Sequence, residues 1–339
     1  MSAHLEKDVS WESSFLGFAS RQFFCRPKPI KADLSGQTAI ITGSNGGLGF
    51  ESARQLLGLG LSRLILAVRS QAKGDKAAET LRKEHPSAKI EVWLLDMSSY
   101  ASIQAFAKRC AGDELPRLDM AILNAAVQNS EHIKNEQTGH DGTFQVNYLS
   151  TALLSILLLP VLSGKRPPGK PARLSVIGSD TQYWAILDPA PGPVLPRVAA
   201  PAKFNSWAQY SDTKILLVGF IAKLAESVNP DDVIVNTVNP GLTASTEIGQ
   251  KSLLFTIMIK IFGRNLEWGA DTYVDGTVVK GAESHGSFVS DWTIKPFPAI
   301  YYTAEGVALR DRFWEETMEE LNFAGVSSIV SKLAQSKQQ

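Results

Sequence analysis

The stretch Thr38-Ala-Ile-Ile-Thr-Gly-Ser-Asn-Gly-Gly-Leu-Gly49 restricts the fold more than any other part of the chain. Five residues suited to a buried strand run into four glycines, and Leu48, Ala53, Leu56 and Leu57 leave at helical spacing. Strand, glycine turn and helix together bring backbone N–H groups and a helix N-terminus up to a phosphate. Gly43 can make the exit turn, Gly47 can let the backbone approach a pyrophosphate, and Gly49 can let the helix pack close to the sheet. The spacing is G-x-x-x-G-x-G, not the G-x-G-x-x-G dinucleotide fingerprint. By itself the turn leaves a phosphate site and an ordinary glycine-rich turn both open.

Beyond Thr38, short β-branched runs alternate with longer helical patterns. Strands are expected at Thr38–Thr42, Arg63–Val68, Ile90–Leu95, Met120–Asn124, Arg173–Ser179, Val233–Val238 and Gly286–Val289. Helices are expected at Ala72–Glu84, Ser98–Cys110, Gly142–Leu159 and Ser211–Ser227. Repeated βα alternation predicts an α/β fold: a single doubly wound Rossmann domain, with an about seven-stranded parallel sheet and helices on both faces. The stretch Asp188–Ala202 carries five prolines and is expected to be a surface loop with no helix. The chain divides into an N-terminal extension (1–35), a nucleotide-binding domain (36–325) with a substrate lid at about 242–265, and a C-terminal tail (326–339).

Composition excludes several classes. Lys+Arg and Asp+Glu both total 34, so no basic excess points to nucleic acid. Cys25 and Cys110 stand far apart in no metal-ligand spacing, which fits packing residues in a reducing compartment and a cytoplasmic location. The first residues lack the pattern of a secretory signal, and no uninterrupted apolar run reaches the roughly 18 residues of a spanning helix. Trp11, Phe15, Phe18 and Ala19 recur at helical spacing. A short amphipathic helix docked on the domain is the first reading of that face, and a peripheral membrane contact the second.

After the second strand, Arg69 stands where an NAD-binding domain of this architecture would carry an acidic residue for the ribose hydroxyls. A guanidinium can pair bidentately with a 2′-phosphate, with Ser70 and Lys73 adding a hydroxyl and a second charge, so the expected cofactor is NADP(H). Asp96 closes the third strand, where it can cap the next helix, bond to an adenine amino group, or both. Asn124 ends the fourth strand, at the edge where ligands of open α/β sheets bind; a plain turn residue is the other reading.

Tyr210-Ser-Asp-Thr-Lys214 opens a helical pattern and puts a phenol and an ammonium on one face. A free tyrosine has a pKa of roughly 10, and a neighbouring ammonium favours the phenolate, making a usable acid–base near neutrality. Ser179, at the end of its strand, can hold a substrate oxygen while the tyrosine moves the proton. Asn147 lies inside an otherwise apolar helical pattern, where a buried amide needs partners. It is either a satisfied core asparagine or the holder of a water that relays protons to Lys214.

With Thr42-Gly-Ser-Asn-Gly-Gly-Leu-Gly49, Asn124-Ala-Ala126, Asn147, Ser179, Tyr210-Ser-Asp-Thr-Lys214 and Asn239-Pro-Gly241 in this order, the chain resembles the short-chain dehydrogenase/reductases over roughly residues 36–320. Arg69 and Arg264-Asn-Leu-Glu-Trp-Gly-Ala270 resemble the retinol-dehydrogenase-like branch, and Arg312-Phe-Trp-Glu-Glu316 resembles reductases of fungal secondary-metabolite pathways. The resemblance implies that Tyr210 is the acid–base, Lys214 binds the nicotinamide ribose and depresses the tyrosine pKa, Ser179 orients the carbonyl, and Asn147 holds the relay water. It also implies that Gly43, Gly47, Leu48 and Gly49 hold the cofactor with Arg69, Asp96 and Asn124, and that Leu242 and Thr243 approach the nicotinamide. Ala126 stands where the family commonly has glycine, and Ser245 competes with Thr243 for the cofactor contact. The expected activity is hydride transfer between NADP(H) and a bulky apolar ketone, aldehyde or alcohol, in secondary-metabolite biosynthesis. The proline-rich loop, Trp184, Trp207 and Leu253–Phe262 are expected to close the pocket. A redox-neutral isomerase or cyclase and a non-catalytic NADP-sensing protein are the alternatives. No metal is expected, and the resemblance leaves room for a homo-oligomer.

Overall fold

The computed structural model describes residues 1–244 and 253–337. Two short helices, α1 (Val9–Glu12) and α2 (Phe15–Phe24), precede the sheet. Ser14 caps α2 by accepting from the Gly17 N–H, so Trp11 falls on a separate helix from Phe15 and Phe18. Then follow β1 (Thr38–Thr42), α3 (Gly47–Gly58), β2 (Arg63–Val68), α4 (Gln71–Glu84), β3 (Lys89–Leu94), α5 (Tyr100–Ala111) and β4 (Met120–Leu123). The short α6 (Gly142–Phe144) runs through a π-helical turn (Gln145–Ser150) into α7 (Thr151–Lys165). The second half comprises β5 (Ala172–Ile177), α8 (Leu195–Ala199), α9 (Ser206–Glu226), β6 (Val233–Asn239), α10 (Leu253–Phe262) and α11 (Leu266–Val274). It closes with β7 (Phe288–Ser290), β8 (Thr293–Lys295), α12 (Ala304–Glu320) and α13 (Val326–Lys337).

Among the described residues eight strands form one sheet in the order β3-β2-β1-β4-β5-β6-β7-β8. The first seven are parallel, as expected; β8 is an added antiparallel edge strand. Its turn is made by Asp291 and Trp292, both at positive φ. Neither is a glycine or asparagine, so the usual sign of a two-residue hairpin is missing from the sequence. Gly286, expected to begin a strand, instead has φ +65 in the turn before β7.

The interior strands β1, β4 and β6 are buried at every position, which is why they read as continuous apolar runs. Alternate residues feed two cores. Ile40 faces the layer containing Phe106, Leu153 and Phe220, and Ile41 faces the layer containing Ala53, Leu56 and Tyr273. Among the described residues one helical run, 142–165, is apolar and long enough to cross a membrane, but most of it is buried in the first of these layers.

Three further segments differ from expectation. Pro196 sits in the first turn of α8, where its missing N–H is harmless, so the proline-rich stretch contains a helical turn after all. The expected C-terminal tail is largely the helix α13, which packs on α7. The N-terminal arm is anchored at residue 2. Ser2 N–H donates to Ser287 Oγ at 3.1 Å, Phe288 N–H donates to Ser2 Oγ at 2.9 Å, and Tyr302 OH donates to the Ser2 carbonyl at 2.6 Å. From there the arm crosses to α10, where the rings of Phe15, Phe18 and Phe23 surround Phe262 at centroid distances of 5.6, 6.1 and 5.4 Å.

Candidate active site

In a sheet of this order the strand direction of travel reverses between β1 and β4, which opens a crevice at the carboxyl ends of the strands. A cleft of about 510 Å³ lies there and continues past β5 and β6. One end is bounded by Gly43, Gly47 and Leu48, by Arg69, Ser70 and Lys73, and by Asp96 and Asn124.

Gly43 and Gly47 adopt φ values of +64 and +57, a region that disfavours any side chain. A Cβ at Gly47 would meet no protein atom within 4 Å, so that wall of the cleft is open to a ligand. Gly49 does its work behind the wall. A Cβ there would lie 2.6 Å from Asn124 Nδ2 and 2.7 Å from the Gly43 carbonyl, so this glycine permits helix–sheet packing and does not itself line the cleft. Where α4, α5 and α9 have side-chain caps at Ser70, Ser99 and Asn205, α3 has Gly46 and no side-chain cap. Its first N–H groups therefore suit an anion. These features fit a dinucleotide pyrophosphate. Arg69 is exposed at the end of β2 beside them.

Asp96 does not cap α5, because Ser99 does; Asp96 Oδ1 instead accepts from Ser98 N–H at 2.9 Å and Ser98 Oγ at 2.7 Å. Asn124 ties three elements together. Its Nδ2 donates to the Thr42 and Gly43 carbonyls at 2.9 and 3.2 Å, and its Oδ1 accepts from Tyr273 OH at 3.1 Å.

Ser179, Tyr210 and Lys214 converge at the centre of the cleft. Helix α9 begins at Ser206, capped by Asn205, so Tyr210 lies in its second turn and not at its start. Burial pushes the Tyr210 phenol up to about 12, and a hydrogen bond with Ser179 works against that. Burial pulls the Lys214 ammonium down to about 7. Its Nζ donates to the Ile177 carbonyl at 2.8 Å and lies 5.4 Å from the Tyr210 ring centroid. The expected depression of the phenol by the ammonium is absent in this geometry: Lys214 is turned to the strand, and burial governs both groups.

Asn147 is a satisfied amide behind the cleft wall. Its Oδ1 accepts from Val127 N–H at 2.8 Å, and its Nδ2 donates to the Val127 carbonyl at 2.8 Å and to Thr213 Oγ1 at 3.3 Å. It sits in the π-helical turn, so the helix is locally re-aimed where it passes α9.

Leu242 and Thr243 line the far wall, and Ser245 lies outside the described residues. Trp184, Trp207 and Met258 of α10 also line it, as expected of a pocket closure. The proline-rich loop does not. Its Val194 and Leu195 N–H groups donate to the Glu316 carboxylate, and Arg312 bonds to the Pro189 carbonyl at 2.8 Å, which holds the loop against α12. Phe18, Asp180 and Thr181 are wall residues that sequence reasoning missed. Phe18 meets Trp184 edge-on at 5.5 Å.

A nucleotide crevice with a tyrosine, a serine and a lysine at its centre defines a dinucleotide-dependent oxidoreductase class. The sequence pattern described as short chain dehydrogenase matches residues 37–180. Short chain dehydrogenase virL of Hypocrea virens is 50% identical over 346 residues, covering 99% of this chain and 100% of that protein. Short chain dehydrogenase/reductase mfmJ of Annulohypoxylon moriforme is 46% identical, covering 93% and 94%. The L-sorbose reductase of Gluconobacter frateurii, solved with NADPH and L-sorbose, shares the fold with a TM-score of 0.60 at 18% identity, over 77% of this chain and 97% of that one. The protein belongs to the short-chain dehydrogenase/reductase family and is an NAD(P)-dependent oxidoreductase.

Proposed function

We propose that the protein transfers hydride between NADP(H) and a bulky apolar ketone, aldehyde or alcohol, as a step in secondary-metabolite biosynthesis. The observation that carries this reading is the meeting of Tyr210 with Ser179 beside buried Lys214, in a cleft walled by Phe18, Trp184, Trp207 and Met258. Likeness to short chain dehydrogenases of fungi such as Hypocrea virens supports the biosynthetic setting. Arg69, with Ser70 and Lys73, supports NADP over NAD, because a guanidinium pairs with a 2′-phosphate that a carboxylate would repel.

The bound cofactor supplies or accepts hydride at its nicotinamide. The chain's own residues do the rest. Gly43, Gly47, Leu48 and the start of α3 hold the pyrophosphate; Asp96 and Asn124 border the adenosine and ribose side. Leu242 and Thr243 would hold the nicotinamide side, and Gly49 sets the distance of α3 from the sheet. Ser179 Oγ holds the substrate oxygen against Tyr210, whose hydroxyl gives up or takes the proton. A phenol whose pKa burial raises stays protonated at neutral pH but is a weaker acid, so its proton passes only to a strongly basic oxygen such as the one hydride addition creates on a carbonyl, which suits the reducing direction. Lys214 would hold the ribose, and Asn147, whose side-chain amide is taken up by Val127 and Thr213, braces the wall behind α9, the helix that carries Lys214.

Exposed Phe15, Leu16, Phe23 and Phe24 on α2, followed by Arg26 and Lys28, support a second property: peripheral contact with a membrane of a cytoplasmic enzyme. Replacing Tyr210 by Phe tests the main reading. Turnover should fall about 10²- to 10⁴-fold while NADPH affinity, read by fluorescence titration, is kept. Full activity in that variant removes the mechanism. A redox-neutral product formed without net NADPH consumption would instead favour an isomerase.

A further inference from the structure

The N-terminal arm is not a passive decoration of the sheet. Arg21 of α2 is buried, and its guanidinium faces carboxylates from three separate segments. Nη1 lies 2.6 Å from Glu12 Oε2, Nη2 lies 3.3 Å from Asp180 Oδ2, and Nε lies 3.1 Å from Asp291 Oδ2. Asp180 directly follows Ser179, and its N–H is held by Asn239 Oδ1 at 3.2 Å. Asp291 is also paired with Arg264 and accepts from Ser290 Oγ at 2.7 Å. Arg264 Nη2 donates back to the Arg21 carbonyl at 3.0 Å, and the Arg264 backbone N–H donates to the Leu242 carbonyl at 2.8 Å. Lys295 completes the cluster at 2.7 Å from Glu12 Oε1.

Three cations thus meet three carboxylates, Arg21, Arg264 and Lys295 against Glu12, Asp180 and Asp291. A buried network with matched charge holds its geometry tightly, because any one member displaced leaves a charge without its partner. The planar guanidinium fixes angles as well as distances. Next in the chain, Gln22 Nε2 donates to the Leu242 carbonyl at 2.8 Å and the Phe262 carbonyl at 2.9 Å, bracing both ends of the lid. On the same face Phe18 forms part of the cleft wall.

We propose that residues 2–24 complete the active cleft, with Arg21 as a positioning residue that sets Ser179 through Asp180 and the 240–244 loop through Asp291 and Arg264, while Phe18 shapes the substrate pocket. This rests on the reading that Ser179 orients the carbonyl.

The test uses the full-length enzyme as wild type, Arg21→Gln, Arg21→Lys and Gln22→Leu. Amide hydrogen exchange should rise at 178–184 and 240–244 in Arg21→Gln and at 240–244 in Gln22→Leu, with β1 to β4 unchanged. With NADPH and an apolar ketone such as 2-decanone, Arg21→Gln should lower kcat about 10- to 100-fold, as expected of a small misplacement at a reacting centre. NADPH affinity should stay within about twofold, and Arg21→Lys should recover part of the loss. A lower thermal midpoint with unchanged kcat per folded molecule, or unchanged exchange at both segments, overturns the proposal. If Arg21→Gln does not fold, Arg21→Lys carries the readouts at both segments, and Gln22→Leu, which removes two neutral hydrogen bonds, carries those at 240–244; unchanged exchange in both overturns the proposal. If the wild type reduces no apolar carbonyl, the functional reading falls and the exchange pattern alone decides the role of the arm.

Discussion

On the cofactor side of the cleft, each important group lies within a few residues of the strand that presents it: Gly43 and Gly47 after β1, Arg69 after β2, Asp96 after β3. On the substrate side the groups arrive from far apart. Arg21 meets Asp180 across 159 residues, Gln22 meets Leu242 across 220 and Phe262 across 240, and Lys295 meets Glu12 across 283. One side is built by strand ends and turns, the other by closure of distant segments onto each other. A local unit serves a cofactor of fixed shape. A surface assembled from several segments leaves more positions at which a pocket can be altered while the sheet stays intact.

The sharpest test of that contrast is Lys214, the buried group that stands between the two sides. Its folded-state value of about 7 lies below the ordinary 10.5, so between these values the unfolded chain carries a proton that the folded chain lacks. Stability therefore rises with pH across that window, and the full penalty applies below pH 7. From pH 7 to about 9.5, cofactor-free wild type should gain on the order of 3 kcal/mol relative to Lys214→Met in urea unfolding. Parallel pH curves for the two proteins would mean that burial does not strain this ammonium.

Arg69→Asp should act on the cofactor side alone. NADPH affinity is expected to fall about 10- to 100-fold, the worth of a charge-assisted contact, with NADH binding no weaker and the thermal midpoint unmoved. Equal losses for both cofactors would show that the guanidinium does not read the 2′-phosphate. The smallest effect belongs to the outer face of the arm, where Phe24 is 80% exposed. Phe24→Ser should reduce co-sedimentation with anionic vesicles about three- to tenfold and leave thermal unfolding within about 2 °C of wild type. Unchanged sedimentation would separate the arm's role at the cleft from any role at a lipid surface.

The same contrast explains what could be read from the sequence. That Gly43, Gly47, Arg69 and the Tyr210–Lys214 pair would line one cleft is legible because local spacing puts each at the carboxyl edge of the sheet. For Gly49 and Asn147 the sequence offered both a packing role and a place at the cofactor, and the packing puts both behind the wall. The cluster around Arg21 was invisible, since no local pattern names Asp180 and Asp291 as its partners. The available hint was that Arg21 and Gln22 follow Phe18 by three and four residues, which puts them on its buried helix face. Strand β8 escaped notice because it has three residues and a turn without glycine or asparagine. The closeness of Tyr210 to Lys214 along the helix suggested an electrostatic coupling, but burial outweighs it at both groups, and one of the three Lys214 protons is directed to the Ile177 carbonyl.

The anchorage of Ser2 on Ser287, Phe288 and Tyr302 also dictates an order of events during synthesis. The arm is translated long before the residues that receive it. At ribosomal rates of about 5–20 residues per second, it waits on the order of tens of seconds for β7 to emerge. The glycine turn and the first four strands can form in that interval; the wall bearing Phe18 and Arg21 cannot. A nascent chain therefore cannot close the chamber for the substrate until β7 has left the ribosome.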